Sequence, residues 1–281
     1  MNHTAKRKHL LLVYVTVFLM ILVPFLFWRA VWFGRPLTDS EIEAFLRDTT
    51  KPRRVQHALV QISERMSRGE SVRRWYPEVE RLSEVSVPEV RALAAWLMGQ
   101  DNQSSSFHQR LTSLVQDADP LVRRNAALSL VRFGDSLGKP EILCMLRPYG
   151  LAASEDGWIS FQRKEGEVVN RGTLVARIRT STHKMVEVHS PMPGSLSKGR
   201  TQDQSLVQRG EIVALLAPSE SQVWEALRAL FVVGEPQDLP EVERFGGGAP
   251  EMSERVRQQA ALTLKAIKDR CQMSSRPVQI Q

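Results

Sequence analysis

Asp119-Pro120-Leu121-Val122-Arg123-Arg124-Asn125-Ala126-Ala127-Leu128-Ser129-Leu130 reads as the opening of a helix. Asp119 can accept hydrogen bonds from the first turn, and Pro120 suits position N1, where no amide donor is needed. Val122, Ala126 and Leu130 recur four apart on one face, and the small Ala126 and Ala127 let a neighbouring helix approach closely. The same core stands upstream in Val87-Pro88-Glu89-Val90-Arg91-Ala92-Leu93-Ala94-Ala95-Trp96-Leu97-Met98, and downstream in Val256-Arg257-Gln258-Gln259-Ala260-Ala261-Leu262-Thr263-Leu264. A fainter copy begins at Lys51-Pro52, where Ala58 follows the proline at the spacing of Ala94 and Ala126. Each copy fits the second helix of a pair, with partners expected over Trp75–Glu84 and His108–Val115. Thr38-Asp39-Ser40-Glu41 reads as a capping box opening the first pair. Such pairs hide their apolar faces only by stacking, so a solenoid is expected.

Between Gly150 and Pro218 the texture changes to β-branched residues alternating with polar ones and punctuated by glycine, which reads as short strands. Two parts of this stretch superimpose at an offset of 38. Val169-Asn170-Arg171-Gly172-Thr173-Leu174-Val175-Ala176-Arg177-Ile178 matches Val207-Gln208-Arg209-Gly210-Glu211-Ile212-Val213-Ala214-Leu215-Leu216. In each, Arg-Gly makes a turn where glycine takes positive φ, and an apolar strand follows. A duplicated unit closing against itself would remove its exposed edges.

At the other end, Leu10 to Trp28 carries no charge over nineteen residues. As a helix it would reach about 28 Å, close to the ~30 Å hydrocarbon core of a bilayer. Val31, Trp32 and Phe33 extend the apolar band past Arg29, so a transmembrane helix is expected over 10–33, with Trp28 and Trp32 as interfacial anchors. The run is too long for a signal-peptide core, and no small-residue cleavage site follows it. Lys6, Arg7 and Lys8 precede it without an acid, whereas Asp39, Glu41 and Glu43 follow soon after. The positive-inside bias therefore expects residues 1–9 in the cytoplasm and the bulk of the chain across the membrane.

Composition narrows the function. The chain has 38 Lys+Arg against 31 Asp+Glu, but five of the cations and no acid fall within residues 1–36. The remaining 33 and 31 nearly balance, which supplies no basic face for phosphate, so no nucleic-acid partner is expected. Two cysteines make neither a disulfide scaffold nor a four-thiolate metal site. Cys144 and Cys271 sit in apolar helical contexts and are expected as buried free thiols. His183 and His189 flank a hairpin as surface residues. Phe245-Gly246-Gly247-Gly248-Ala249-Pro250 reads as a linker before the last helix, and 273–281 as a tail.

The helical pattern resembles HEAT repeats and PBS-lyase-type HEAT-like repeats, over 38–148 and again over 219–272. Arrays of this kind scaffold protein contacts, so the resemblance implies a protein partner without naming one. The stretch 156–217 resembles the biotinyl/lipoyl domain, on Glu165-Gly166-Glu167-Val168-Val169-Asn170-Arg171-Gly172 and on Val186-Glu187-Val188-His189-Ser190-Pro191-Met192-Pro193-Gly194. In carrier members a lysine at the hairpin tip holds biotin or lipoate, which makes Lys184 the candidate attachment residue. The family position, counted forward from Gly172, falls on Thr182, and counted back from Pro191 it falls on His183; Lys184 misses both. The unmodified branch, the membrane-fusion or periplasmic adaptor proteins, has the same order of anchor then sandwich. It implies a bacterial inner membrane, but its long coiled-coil hairpin has no counterpart between Ile178 and Pro191.

The expected fold is thus multidomain α plus β: an N-terminal transmembrane helix, an α-solenoid of HEAT-like helix pairs, and an inserted all-β barrel-sandwich hybrid. The expected role is a non-catalytic, single-pass membrane scaffold or adaptor with no catalytic residue, no metal and no resident cofactor. Two alternatives stand beside it: a biotin or lipoate carrier at Lys184 serving a membrane-bound enzyme complex, and a component of an export or efflux assembly.

Overall fold

The structure, a computed structural model, describes residues 14–25, 35–197, 201–247 and 252–274. They fall into two units that divide after Val72. In the first, residues 14–25 form helix α1, whose side chains are almost all exposed. Among the described residues no helix is long and apolar enough to cross a membrane. The rest of the span expected over 10–33 lies outside them. Helices α2 (Asp39–Arg47) and α3 (Pro52–Ser67) pack together, burying Ile42 and Leu46 with Val55, Ala58, Leu59 and Ile62. The capping box is formed: the Glu41 amide donates to Thr38 Oγ1 at 3.3 Å, and the Thr38 amide donates to Glu41 Oε2 at 2.9 Å.

The second unit mixes helices with antiparallel sheets. Helices α4 (Tyr76–Leu82), α5 (Pro88–Met98), α6 (Ser105–Leu114), α7 (Pro120–Arg132) and α8 (Lys139–Cys144) precede the strands; α9 (Glu220–Val233), α10 (Leu239–Gly246) and α11 (Glu254–Ser274) follow them. Proline at N1 or N2 opens α4, α5, α7, α8 and α10, and the Asp119 carboxylate accepts from the Leu121 amide at 2.9 Å. The packing pairs α4 with α5, α6 with α7, α8 with α9 and α10 with α11. The second members form a continuous row, α5 on α7, α7 on α9 and α9 on α11. The strands therefore interrupt the α8–α9 pair, and α9 resumes the stack where α8 leaves it.

Eight strands lie between Tyr149 and Ala217: β1 (Tyr149–Ala152), β2 (Gly157–Phe161), β3 (Val168–Val169), β4 (Leu174–Arg179), β5 (Met185–His189), β6 (Gly194–Ser197), β7 (Leu206–Val207) and β8 (Ile212–Ala217). They make two four-stranded antiparallel sheets, in the orders β1-β8-β6-β3 and β5-β4-β2-β7. Exchanging β1 with β5, β2 with β6, β3 with β7 and β4 with β8 turns one order into the other, so the sequence duplication is a quasi-twofold axis of the fold. The interior obeys it too. Val169, Val175, Ala214 and Leu216 share one cluster, while their mates Val207, Val213, Ala176 and Ile178 share the other. Each cluster draws on both sheets, so side chains hold the layers together; burying one such Val, Leu or Ile contributes about 1.5–3 kcal/mol. The expected closure does not occur. The outer strands β3 and β7 have two residues each, too few to bridge the layers, so both sheets stay open.

Candidate functional site

Stacking assigns work to the Val-Arg motif that its sequence leaves unstated. Arg91 donates from Nε and Nη2 to the two oxygens of Asp117, both at 2.8 Å, and from Nη1 to the Val85 carbonyl at 2.9 Å. Arg123 repeats the arrangement one pair on, with Nε on Glu141 Oε2 at 2.9 Å and Nη1 on the Asp117 and Ala118 carbonyls. Arg257 again reaches back to the Met252 carbonyl at 2.8 Å. The motif arginine thus pins the turn before its own helix, and in the first two cases it also grips the next pair. Burial pushes the Asp117 carboxyl up, but the Arg91 hydrogen bonds, the Asp119 amide and the charges of Arg91 and Arg123 together outweigh it and hold the group below its ordinary value. The arginines are visible in the sequence but their targets are not; the signal was an acid at the start of a following helix, Asp117 just ahead of α7 and Glu141 in the first turn of α8.

A second contact recurs along the seam of second helices. Ser129 Oγ donates to the Ala95 carbonyl and Thr263 Oγ1 to the Leu227 carbonyl, both at 2.9 Å. The seam between α5 and α7 is so close that a Cβ on Gly99 would lie 2.4 Å from Ser129 Oγ. With one face of each second helix held this way, α5, α7 and α9 leave a half-open groove of about 290 Å³ on the side they share. Trp96, Leu128 and Val232 give it an apolar floor, and Arg132, Arg228 and Glu225 stand in it. Trp96 and Val232 are more than a third exposed. Arg132 spends Nη1 on Gln100 Oε1 at 2.8 Å and on the Gly99 carbonyl at 3.4 Å. The Arg228 guanidinium lies 4.7 Å from the centre of the Trp224 ring. Among the described residues neither cation forms an ion pair, so the groove offers two guanidiniums, with Glu225 in the same lining, beside apolar surface.

The β insert is fastened to the same helical row. Arg171, in the turn between β3 and β4, donates Nε to Glu89 Oε1 at 2.8 Å and Nη2 to Asp119 Oδ2 at 2.9 Å. Its Nη1 also reaches the Pro191 carbonyl at 2.7 Å. Glu89 opens α5 and Asp119 caps α7, so one guanidinium neutralises acids at two helix N-termini. That hydrogen bond holds the Glu89 carboxyl below its ordinary value.

Lys184 is exposed in the turn between β4 and β5. It directly precedes Met185, which pairs with Arg179, and its carbonyl accepts from the Thr180 amide at 2.9 Å. Lys184 therefore closes the turn, and the apex is Ser181, Thr182 and His183, with His183 at φ +61. His189 bridges the Gly172 carbonyl and Glu187 Oε2, each at 3.0 Å. Among the described residues no three His, Cys, Asp or Glu side chains gather as a metal ion would need. Neither cysteine is in a disulfide among the described residues, and both are exposed rather than buried. The short α8 turns Ile142 and Met145 inward and leaves Cys144 on its outer side. Cys271 lies beyond Ile267, the last buried position identified on α11.

No curated protein matches the chain. Residues 79–148, which run from α4 to just past α8, match the model of the HEAT repeats family.

Proposed function

We propose that this chain is a non-catalytic scaffold, anchored to a membrane by its apolar N-terminal segment, that binds a protein partner along the second helices of its HEAT-like stack. The observation carrying this is the groove over α5, α7 and α9, where Trp96 lies beside Arg132 and Arg228. Exposed tryptophan and arginine over a half-open apolar floor are the residues that dominate protein interfaces. The β insert, in this reading, is a rigid biotinyl/lipoyl-like module of the unmodified kind, held to the stack by Arg171. The placement of Lys184 at the base of the turn supports that choice over a carrier. The anchor rests on the uncharged run from Leu10 to Trp28, and the asymmetry of charge around it favours a cytoplasmic N-terminus with the bulk of the chain outside, in a bacterial inner membrane.

Purification of the tagged full chain from membranes tests the reading, with quantitative mass spectrometry of what accompanies it. A partner enriched by the natural chain should fall by roughly tenfold or more with Trp96→Ala or Arg228→Glu, as for loss of one interface hot spot. Equal recovery of every protein by all three chains would overturn it. Extraction of the chain by alkaline carbonate would remove the anchor, and an intact mass carrying biotin or lipoate on Lys184 would restore the carrier.

A further inference from the structure

The quasi-twofold axis supplies an internal control for the surface of the insert. On the outer face of the β5-β4-β2-β7 sheet, register places Met185 opposite Arg179, Arg179 opposite Trp158 and Trp158 opposite Leu206. The four form one row across all four strands, about 14 Å long at the usual strand spacing. Their neighbours Ile159, Ile178 and Val207 point the other way, into the core. Met185 is 51% exposed, Trp158 49% and Leu206 62%, and Arg179 is exposed among them. The related row of the other sheet places Ala217 opposite Ser195 and Ser195 opposite Val168. The fold therefore accepts alanine and serine at the positions of Arg179 and Trp158. What differs is the side chain, not the backbone.

Charge sharpens the contrast. One row further from the hairpin, Arg177 faces Glu187, and the two are paired at 3.2 Å. Arg179 meets no carboxylate among the described residues. Asp156, beside the row, accepts from the Arg209 amide at 2.7 Å. An unneutralised guanidinium set between tryptophan and methionine has the composition of an interface centre, where arginine, tryptophan and methionine are enriched and a buried cation needs an acid.

We propose that the row Met185-Arg179-Trp158-Leu206 is a second docking surface, for a protein partner presenting a carboxylate ringed by apolar side chains. It is separate from the groove over α5, α7 and α9 and stands whether or not that groove is occupied. The carboxylate accepts from Arg179, while its apolar neighbours cover Trp158 on one side and Met185 on the other.

The test places a benzophenone photo-crosslinking side chain at Leu206 in the full chain, in its native cells. The expected result is a discrete protein adduct whose yield falls by roughly tenfold with Arg179→Glu, a hot-spot loss, and returns when the acid at the crosslinked site of the partner is changed to lysine. Trp158→Ser, which copies the twofold mate, should lower the yield independently. Because Arg179 is exposed, Arg179→Glu should leave the thermal melting of the chain unchanged, separating loss of docking from loss of fold. An adduct indifferent to Arg179→Glu, adducts with lipid alone, or no adduct would each overturn the proposal.

Discussion

The two Arg-Gly turns of the insert share a backbone and differ in occupation. Gly172 and Gly210 have φ of +78 and +85. Their amides donate to equivalent carbonyls, of Ser190 and Ala153, each at 2.8 Å. Arg171 is clasped by Glu89 and Asp119, whereas Arg209 is exposed and has no ion pair among the described residues. Local geometry therefore belongs to the duplicated β unit, and attachment belongs to one copy alone. Duplication gave the insert two chemically alike corners, and only one of them faces the helical row.

The comparison breaks most readily at the occupied corner. Arg171→Glu sets three acids together and should destabilise the second unit by about 3 kcal/mol, the range for disrupting a partly buried charge pair. Chemical denaturation measures it, and hydrogen exchange should rise first over β3 and the following turn. Acid should erase part of the difference between the natural chain and Arg171→Ala. Glu89 is held below its ordinary value of 4.5, so its contribution is present above that value and is lost as pH falls through the lowered folded value. Denaturation midpoints of the two chains should converge on acidification; parallel midpoints would mean that Glu89 contributes nothing. Gly172→Ala and Gly210→Ala should each cost about 1 kcal/mol, because both sites need positive φ and neither has a crowding neighbour. Equal losses in calorimetry would confirm that the backbone requirement is shared. Smallest is Arg209→Ala, expected within about 0.5 kcal/mol of the natural chain, as for an unpaired surface side chain.

Periodicity carried most of the fold. The spacing of Val122, Ala126 and Leu130 and its echoes revealed the helix pairs, because a repeated burial requirement leaves a repeated pattern. The offset that matches Val169 to Val207 revealed the duplication for the same reason. Other features left no such trace. Helix α9 lies within the stretch expected to be HEAT-like, but its pairing with α8 was hidden because that partner lies on the far side of the insert. Strand β1 lies ahead of the expected domain boundary; it is short, contains Gly150, and becomes a strand through pairing with β8. The surfaces were less legible still. Trp96, Leu128 and Val232 come from three helices, and Trp158 and Leu206 from two strands that meet only through register. Arg171 was visible as a turn residue, but its acids stand in α5 and at the cap of α7. Charge pairing across such separations follows from tertiary contact, which no local pattern encodes.

The interruption of the α8–α9 pair has a consequence for assembly. Helices α8 and α9 are neighbours in space, yet everything from Tyr149 to Ala217 intervenes along the chain. Tyr149 lies opposite Leu216 in the β1–β8 ladder, so once folded the insert presents its two ends side by side. To the helices it then counts as a tight hairpin loop. While it is unfolded, α8 and α9 are joined by a long flexible tether, and each doubling of such a tether's length adds about 0.6 kcal/mol to the entropy of closure. The insert thereby acts as a clasp whose own order brings the two halves of the stack within reach of each other.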